Sequence, residues 1–341
     1  MTAVPPRTAR EIRLAATPEG LPRPEHLAVV HTPMPVLRPG HVLVRNRYFL
    51  VFPGLRTLMG DEIDGVPLPP LRGGDTLFGP AVGEVVAVPP GSPLRVGDTV
   101  SHLLGWRDHA LVADTECALL DGTLPDPVAR LAPGAAAYGA LTRLTGVREG
   151  DTVLVTGAAG AVGSLAGQIA RVLGAGRVVG STGSPEKAGR LVSELGYDAV
   201  VLRGTGSFAE RLAGAAPDGI DVLLDTVGGE QLAAALGAAR PGARFALVGA
   251  LSGQLSPERG GGSAPVPLDT FRLVVRGVSV RGYRGADHPE VDAEWTRRFG
   301  GWLRSGELSF PHTRIAGLDG APRALPDLIE GRYFGAVVVE L

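Results

Sequence analysis

The sequence predicts a two-domain α/β protein, with a β-rich, barrel-like domain and a domain built on a doubly wound parallel sheet. Short apolar segments separated by proline and glycine fill residues 1 to about 130, a pattern typical of successive strands. From about residue 150 the pattern changes to strand followed by helix, repeated several times. The apolar strands of this second part are uninterrupted, which is typical of strands buried on both faces of a parallel sheet. The 341 residues are enough for two such cores.

The individual elements follow from the same patterns. The predicted strand and helix pairs are TVLVT with SLAGQIARVLG, RVVGST with SPEKAGRLVSELG, AVVL with SFAERLAG, and DVLLDTV with EQLAAALGAA. RFALVG and GVSVRGY predict further strands, residues 288–305 and RALPDLIEG predict helices, and AVVVEL predicts a strand that returns to the first domain. We therefore expect one domain over 1–130 together with 306–341, and the other over 131–305.

Composition and charge exclude several classes of protein. Lysine and arginine together count 33 against 35 aspartates and glutamates, for a formal net charge of -2. No basic face is therefore expected for the phosphates of a nucleic acid. No run approaches the ~18 apolar residues of a membrane span, and the amino terminus lacks the apolar core of a signal peptide. We expect a cytoplasmic protein with no nucleic-acid or membrane partner.

A glycine-rich turn follows the first strand of the second part. Gly157-Ala-Ala-Gly160-Ala-Val-Gly163 comes directly after VLVT and opens a helix. Within a βαβ unit this context is typical of a dinucleotide site, where N–H groups at the helix start bind the pyrophosphate. The structural alternative is a tight turn with packing glycines.

The next strand distinguishes between the two nicotinamide dinucleotides. NAD sites usually carry Asp or Glu about 20 residues beyond the glycine fingerprint, whereas this strand ends Val179-Gly180-Ser181-Thr182-Gly183 without a carboxylate. Lys187 and Arg203 lie just beyond, and hydroxyl groups with a cation suit a 2'-phosphate. Glu186 is a carboxylate close to this strand and favours NAD, although a solvent-exposed position beside Lys187 would account for it without a cofactor contact. The residues favour NADP over NAD.

Several segments together resemble the medium-chain dehydrogenase/reductase superfamily. Within it the likeness is to the zinc-independent prostaglandin reductase and leukotriene B4 12-hydroxydehydrogenase group, the NADP-dependent alkenal double-bond reductases. The resemblance covers nearly the full length. It is carried by YFLVFPGLR at 48–56, GWRDHALV, PGAAAY, GAAGAVGSLAGQIA, GSTGSPEKAGRL, DTVGGE at 225–230, LVGALS at 247–252 and Tyr283-Arg284.

The resemblance implies a GroES-like catalytic domain from both chain ends and a Rossmann domain that binds NADP(H). By motif position the turn would hold the pyrophosphate and Lys187 the 2'-phosphate. Arg203 stands where relatives carry a tyrosine, Thr226 replaces an asparagine, and Tyr333 and Ala336 replace an asparagine and a lysine near the carboxy terminus. The expected cofactor contacts are Gly160, Ala161, Val162, Gly163, Ser181, Lys187, Arg203, Thr226, Gly249, Ala250 and Tyr333.

The reaction implied by the resemblance agrees with the residue chemistry. One cysteine and seven scattered histidines offer no metal-ligand spacing, so hydride transfer is best suited to an already electrophilic carbon, such as the β-carbon of an enone. Negative charge then develops on the carbonyl oxygen and needs a hydrogen-bond donor. Tyr283 matches the family tyrosine that faces the substrate, and we expect it to hold the carbonyl and assist protonation of the enolate. A strand-end tyrosine that only packs is the alternative.

The expected substrate pocket departs from the family pattern. Relatives typically read Asp-Pro-Tyr-Met-Arg where this chain reads Phe52-Pro53-Gly54-Leu55-Arg56. Loss of the acid and of the tyrosine predicts a larger, more apolar pocket for a bulky hydrophobic enone, such as a secondary-metabolite intermediate. The pocket residues expected are Phe52, Gly54, Arg56 and Tyr138.

Two other functions and one assembly state complete the expectations. A quinone reductase of the same superfamily and an NADPH-binding protein without turnover remain alternatives. Family members commonly form dimers through the edge of the Rossmann sheet, so a homodimer through GVSVRGY is expected. Cys117 and Asp225 are predicted to be structural, as a buried small side chain and a turn or cap residue, whereas His102 and His109 suit a structural place or the lining of the cleft.

Overall fold

A computed structural model describes residues 8–60, 62–63, 65–66, 68–204, 206–256 and 262–341. They fall into two compact units. Unit 1 comprises the described residues up to Leu131 together with His312–Leu341, and unit 2 comprises Ala132–Pro311.

Strands occur in both units. In chain order they are β1 (Thr8–Leu14), β2 (Leu27–Pro33), β3 (His41–Val51), β4 (Ala81–Ala87), β5 (Thr99–His102), β6 (His109–Ala113), β7 (Ala118–Leu119), β8 (Thr152–Val155), β9 (Arg177–Thr182), β10 (Ala199–Leu202), β11 (Ile220–Asp225), β12 (Ala239–Leu247), β13 (Ser279–Gly282), β14 (His312–Ala316) and β15 (Ala336–Glu340).

The helices lie mostly in unit 2. They are α1 (Leu55–Leu58), α2 (Gly134–Gly139), α3 (Gly163–Val172), α4 (Pro185–Leu195), α5 (Phe208–Ala215), α6 (Gly229–Gly237), α7 (Leu251–Gln254), α8 (Thr270–Arg276), α9 (Glu290–Ser305) and α10 (Ala321–Ile329). A π-helical segment, Ala140–Thr145, directly continues α2.

Unit 1 is built on a mixed sheet. Its described strands run in the order β14-β15-β3-β4-β5-β7, with β6 also paired to β3, and β1 and β2 form a separate antiparallel pair. The predicted closing strand is confirmed: β15 pairs antiparallel with β3 and parallel with β14. Three successive valines of β15 are fully buried, so the carboxy-terminal strand completes the core of this unit.

Unit 2 carries a parallel sheet of six described strands in the order β10-β9-β8-β11-β12-β13. Counted from β8, this is the 3-2-1-4-5-6 order of a doubly wound dinucleotide-binding sheet. Every residue of β8, TVLV, is buried, because helices cover both faces of the sheet. The predicted fold class, a GroES-like β-rich domain with a Rossmann domain, is confirmed.

Four of the helices named above are absent from the sequence prediction: the short α1 and α7, and the longer α2 and α8. The helical stretch through α2 and its π segment contains Gly134 and Gly139, which weaken helix propensity. α8 begins at the side chain of Asp269, which accepts a hydrogen bond from the Arg272 N–H, but none of its residues is buried. The sequence signal for α2 is therefore weak, and α8 lacks the buried apolar face from which a helix is usually predicted.

Candidate functional site

The glycine turn lies at the carboxyl end of β8, between that strand and α3. Gly157 adopts φ +61°, in the left-handed region that favours glycine. A Cβ on Gly163 would lie 2.4 Å from the Gly157 carbonyl oxygen, so α3 can begin against the turn only without a side chain there. α3 begins at Gly163, so the N–H groups of Ala161, Val162 and Gly163 precede its first intrahelical hydrogen bonds. Such a cradle with N–H groups at a helix start fits the pyrophosphate of a dinucleotide.

Ser181 ties this turn to β9. Its hydroxyl is fully buried, accepts a hydrogen bond from the Gly157 N–H (3.0 Å) and donates to Gln231 Oε1 (2.5 Å). These bonds stabilise the turn from inside the protein. A direct contact of Ser181 with the cofactor stays a prediction that these internal bonds do not favour.

A second buried network closes the carboxyl end of β11. Asp225 accepts hydrogen bonds from the Thr156 hydroxyl and from the N–H groups of Val227 and Gly228, so its predicted role in the turn is confirmed. The Thr226 hydroxyl donates to the Thr156 carbonyl (2.8 Å). A Cβ on Gly249 would lie 3.0 Å from the Thr226 carbonyl oxygen, which brings the end of β12 against this network. The contacts of Thr226, Gly249 and Ala250 with a cofactor stay predictions.

Two cationic side chains follow the next strands of the sheet. Lys187 lies in the first turn of α4, which the Ser184 side chain caps, and partial burial lowers its pKa. Arg203 follows β10, with its Nη2 atom 3.1 Å from where a Cβ on Gly183 would lie. No carboxylate among the described residues pairs with Arg203. Both cations therefore lie beyond the carboxyl ends of neighbouring strands, and their contact with a 2'-phosphate stays a prediction.

Tyr283 lies just beyond β13, at the same edge of the sheet as the glycine turn. Its N–H donates to the Leu247 carbonyl (2.9 Å) at the end of β12. Its ring stacks on His288, with centroids 5.5 Å apart and planes at 4°. Burial, together with the negative charge of Glu290, raises the pKa of Tyr283. Its hydroxyl has no hydrogen-bond partner among the described residues, so it stays protonated and free to donate.

Tyr138 is buried in α2, with 2% of its surface exposed. Its hydroxyl donates to Glu294 Oε1 (2.5 Å), and the same carboxylate binds Arg143 (2.5 Å) and Arg298 (3.0 Å). The ring packs against Trp295 of α9. These contacts join α2 to α9, and a contact of Tyr138 with substrate stays a prediction.

The other predicted pocket residues lie in unit 1. A Cβ on Gly54 would lie 3.1 Å from the Phe52 ring, and one on Gly79 would lie 2.9 Å from the same ring. The Phe52 ring therefore lies against both glycines, and the larger, more apolar pocket stays a prediction. Arg56 is 3% exposed, its Nε has no partner among the described atoms, and burial lowers its pKa.

Tyr333 also lies in unit 1, after α10. Its hydroxyl donates to Asp327 Oδ2 (3.2 Å), and its ring packs against the hydrophobic core of that unit. Burial and the Asp327 carboxylate raise its pKa. Its contact with a cofactor stays a prediction.

The remaining titratable candidates are Cys117, His102 and His109, in unit 1. Burial and the neighbouring Asp114 raise the pKa of Cys117 to about 11, so the thiol remains protonated. His102 is buried, and desolvation lowers its pKa to about 4. His109 lies 3.0 Å from Asp108. Among the described residues, no group of three or more His, Cys, Asp or Glu side chains could hold a metal ion.

Tyr197 is a residue of the candidate site that sequence reasoning missed. Its hydroxyl donates to the Gly163 carbonyl (2.6 Å), at the first residue of α3. Its ring occupies space left by Gly167 of α3 and Gly180 of β9, where Cβ atoms would lie 2.2 Å and 2.9 Å away. Two glycines in otherwise regular elements, with a tyrosine directly after a helix end, are the signal in the sequence.

Within the described ranges, no helix combines the length and the apolar character needed to cross a membrane.

Comparison with known proteins agrees with this geometry. The family described as "Zinc-binding dehydrogenase" matches residues 161–298, and "N-terminal domain of oxidoreductase" matches residues 10–120. The NADPH-dependent curcumin reductase of Escherichia coli is 30% identical over 334 residues, covering 96% of this chain and 95% of its own. Prostaglandin reductase 1 of Mus musculus is 32% identical over 334 residues, covering 94% and 96%.

Solved structures extend the likeness to the whole fold. The crystal structure of CurA in complex with NADPH, from Vibrio vulnificus, has a TM-score of 0.87 and 31% identity, and covers 97% of this chain and 98% of that one. The sequence identity, the near-complete coverage and the strand order all indicate the same family. The chain belongs to the medium-chain dehydrogenase/reductase family, in the group of the prostaglandin and curcumin reductases.

Proposed function

We propose that this protein is an NADPH-dependent enone reductase, which reduces the carbon-carbon double bond of an α,β-unsaturated ketone or aldehyde. The observation that carries the proposal is the Tyr283 hydroxyl: it lies at the carboxyl edge of the parallel sheet, with no partner among the described residues. A protonated donor at this edge suits an oxygen on which negative charge develops. Relatives named curcumin reductase, prostaglandin reductase 1 and 2-alkenal reductase support the same reaction class.

The cofactor site proposed is the carboxyl edge of β8, β9 and β10. The N–H groups of Ala161, Val162 and Gly163 bind the pyrophosphate, and the glycines leave room for it. Lys187 and Arg203 bind the 2'-phosphate, because a guanidinium and an ammonium group form charge-assisted hydrogen bonds with phosphate oxygens. When bound, NADPH supplies the hydride that reduces the β-carbon.

Tyr283 performs two tasks in the proposed reaction. Its Oη–H donates a hydrogen bond to the carbonyl oxygen of the enone, where it stabilises the negative charge of the enolate. Directly or through water, it then assists delivery of a proton to the α-carbon, and solvent restores the hydroxyl proton. The raised pKa of Tyr283 keeps this proton on the oxygen at neutral pH.

The proposed substrate is a bulky hydrophobic enone. Phe52 and Gly54 offer no hydrogen-bonding side chain, so this part of unit 1 favours apolar groups. Arg56, nearly buried and without a carboxylate partner among the described residues, adds one polar group there. The Phe52 ring, packed over Gly54 and Gly79, is the surface that we expect the substrate to contact.

The test is NADPH oxidation with a panel of short alkenals, cyclic and aryl enones and quinones, with products identified by mass. Saturated ketones from the bulky enones are expected, and Tyr283→Phe should lower kcat by ~100-fold, in the range of general acid catalysis. Turnover of quinones alone would exclude enone reduction as the reaction. Unchanged kcat in Tyr283→Phe would remove the tyrosine from catalysis.

The proposed assembly is a cytoplasmic homodimer joined along β13. This strand is the last in the order of the described sheet, so one of its edges is open. Beside it, α8 exposes Phe271, Val274 and Val275, each more than half exposed, next to an apolar groove of about 350 Å³. A second copy would cover both features and continue the sheet. The cytoplasm is proposed because the reaction consumes a reduced cofactor of the cell interior.

Light scattering tests the assembly. Val274→Asp is expected to convert a dimer to a monomer, since it places a charge in the apolar face. Val96→Asp, at another exposed valine in unit 1, is the control. A wild-type protein that is monomeric at micromolar concentration, or a dimer unaffected by Val274→Asp, would refute this interface.

A further inference from the structure

The Tyr283 hydroxyl lies directly on the helical backbone at Gly139. A Cβ on Gly139 would lie 2.0 Å from Oη, 2.5 Å from Cζ and 2.8 Å from Cε2 of the tyrosine. We propose that Gly139 is a positioning residue for Tyr283: its missing side chain sets where the tyrosine hydroxyl is presented. The inference rests on the proposed function for its effect on turnover, but the contact itself is independent of it.

The backbone at Gly139 does not itself require glycine. Its dihedral angles, φ −62° and ψ −44°, are those of an ordinary right-handed helix. Glycine in such a place weakens the helix relative to alanine, because it adds freedom to the unfolded chain. The helix therefore gains nothing locally from Gly139, and the space above it is the remaining structural reason for the residue.

The helix cannot recede to make room for a side chain at Gly139. The neighbouring residue, Tyr138, is buried and bonded to Glu294 of α9. Arg143, in the π-helical segment, binds the same carboxylate and also Glu290 at the start of α9. The helical segment is thus held on both sides of Gly139 by one helix, and a Cβ at this position must displace the tyrosine.

Tyr283 can move, because it lies at the end of an edge strand. Its neighbours Gly282 and Arg284 are both exposed, so few contacts hold the backbone in place. The ring is held instead by two surfaces, the Gly139 backbone and the parallel ring of His288. A side chain at 139 would push the far end of the tyrosine, shift the ring on His288 and take the hydroxyl from its position.

A nearby glycine provides a contrast. Gly134, at the start of α2, would place a Cβ 2.1 Å from Cζ2 of Trp295, a buried ring of α9 that stacks on Phe299. Substitution there would disturb the packing of two helices. Substitution of Gly139 meets only the end of a tyrosine side chain, so Gly139→Ala should fold with Tyr283 displaced.

Four variants test the proposal: Gly139→Ala, Tyr283→Ala, the double variant, and Gly301→Ala. Gly301 lies in α9 with open space around its Cα, so it reports the ordinary effect of alanine in a helix. The readouts are kcat, KM for NADPH and for a bulky enone from the panel, and Tm. Gly139→Ala should lower kcat by about tenfold or more with unchanged KM for NADPH, and should lower Tm, whereas Gly301→Ala should raise Tm.

Coupling between the two positions is the decisive result. In the Tyr283→Ala background, Gly139→Ala should leave kcat unchanged and raise Tm as Gly301→Ala does, because the colliding group is gone. The proposal is overturned if Gly139→Ala keeps wild-type kcat while Tyr283→Ala does not. It is also overturned if Gly139→Ala lowers kcat or Tm equally in both backgrounds, or if both Gly139 variants fail to fold.

Failure of the proposed function would look different. If Tyr283→Ala keeps wild-type kcat, the tyrosine is not catalytic, and the Tm cycle alone then decides whether Gly139 positions it. If Gly139→Ala fails to fold but the double variant folds, the collision with Tyr283 is supported.

Discussion

The Tyr197 hydroxyl donates a hydrogen bond to the carbonyl of Gly163, at 2.6 Å, in a place fully enclosed by protein. Gly163 is the first residue of α3, whose N–H groups face the proposed pyrophosphate. The same tyrosine ring separates Gly167 of α3 from Gly180 of β9. One side chain thus fixes the start of the cofactor helix relative to the neighbouring strand.

Tyr197→Phe should therefore weaken NADPH binding without affecting the chemical step. The ring remains, so packing is kept, but the hydrogen bond is lost, and we expect unfolding to become easier by about 1 kcal/mol. A looser helix start should raise KM for NADPH by about two- to fivefold, with kcat unchanged. Steady-state kinetics and urea unfolding measure both effects.

Tyr48→Phe is the matched control, since the Tyr48 hydroxyl bonds Glu340 at 3.4 Å within unit 1. Equal effects of the two variants on KM for NADPH would contradict the role given to Tyr197.

Arg203→Ala should reduce the preference for NADPH over NADH. A hydrogen bond to a charged group contributes about 1.5–3 kcal/mol, so NADPH affinity should fall by about 10- to 150-fold while NADH affinity stays the same. Fluorescence titration of both cofactors measures the ratio. Arg240→Ala, which removes an arginine paired with Asp221, is the control. A parallel loss of affinity for both cofactors would count against a phosphate contact.

Glu294→Gln should destabilise unit 2 in a pH-dependent way. Hydrogen bonds from Tyr138 and from Arg143 lower the pKa of Glu294 to about 2, from the usual 4.5. The carboxylate therefore stabilises the fold above pH 4.5, and this contribution is lost as the pH falls from 4.5 to about 2.

At pH 7 we expect Glu294→Gln to lower the free energy of unfolding by about 1–2 kcal/mol, because the side chain is partly solvated. The difference from wild type should narrow at pH 3, in urea unfolding monitored by circular dichroism. Glu194→Gln, at a surface pair with Arg190, is the control. A difference that is the same at both pH values would be inconsistent with the ionised network.

His102→Asn should remove one source of acid sensitivity. Burial lowers the pKa of His102 from 6.5 to about 4, so the unfolded chain binds a proton between these values and the folded chain does not. Wild-type stability should therefore decrease as the pH falls from 6.5 to about 4, by about 3 kcal/mol at most from this residue. His102 Nδ1 accepts from the Leu104 N–H (3.0 Å), and an asparagine oxygen can replace that acceptor.

Urea unfolding of wild type and His102→Asn at pH 7 and pH 4.5 measures the effect. The variant should lose less stability between the two values. His31→Asn, at an exposed histidine, is the control. A pH dependence identical to that of wild type would rule out His102 as its origin.

The glycine turn, the parallel sheet and the cations after β9 and β10 could be predicted because each has a local signal. Gly157 to Gly163 follows an apolar strand and opens a helix, and the absence of a carboxylate at the end of β9 can be seen directly in the sequence. Tyr283 was found by resemblance, since a lone tyrosine after a strand has no chemical signal of its own.

Other features depend on contacts between residues distant in the chain. The Phe52 ring lies against Gly54 on one edge and against Gly79 on the other. Glu294 is 156 residues from Tyr138, and no sequence pattern within α9 predicts the hydrogen bond between them. Side-chain packing of this kind is determined by the approach of separate elements, which local sequence does not contain.

The sequence by itself determined the fold class, the cofactor turn and the charge that favours a 2'-phosphate, because hydrophobic period, glycine placement and side-chain charge act locally. The tertiary structure decided how the reactive groups are held. The Gly163 carbonyl accepts a hydrogen bond from Tyr197, and the Tyr283 side chain packs on the backbone of Gly139. Only folding brings a glycine of one element against an aromatic ring of another.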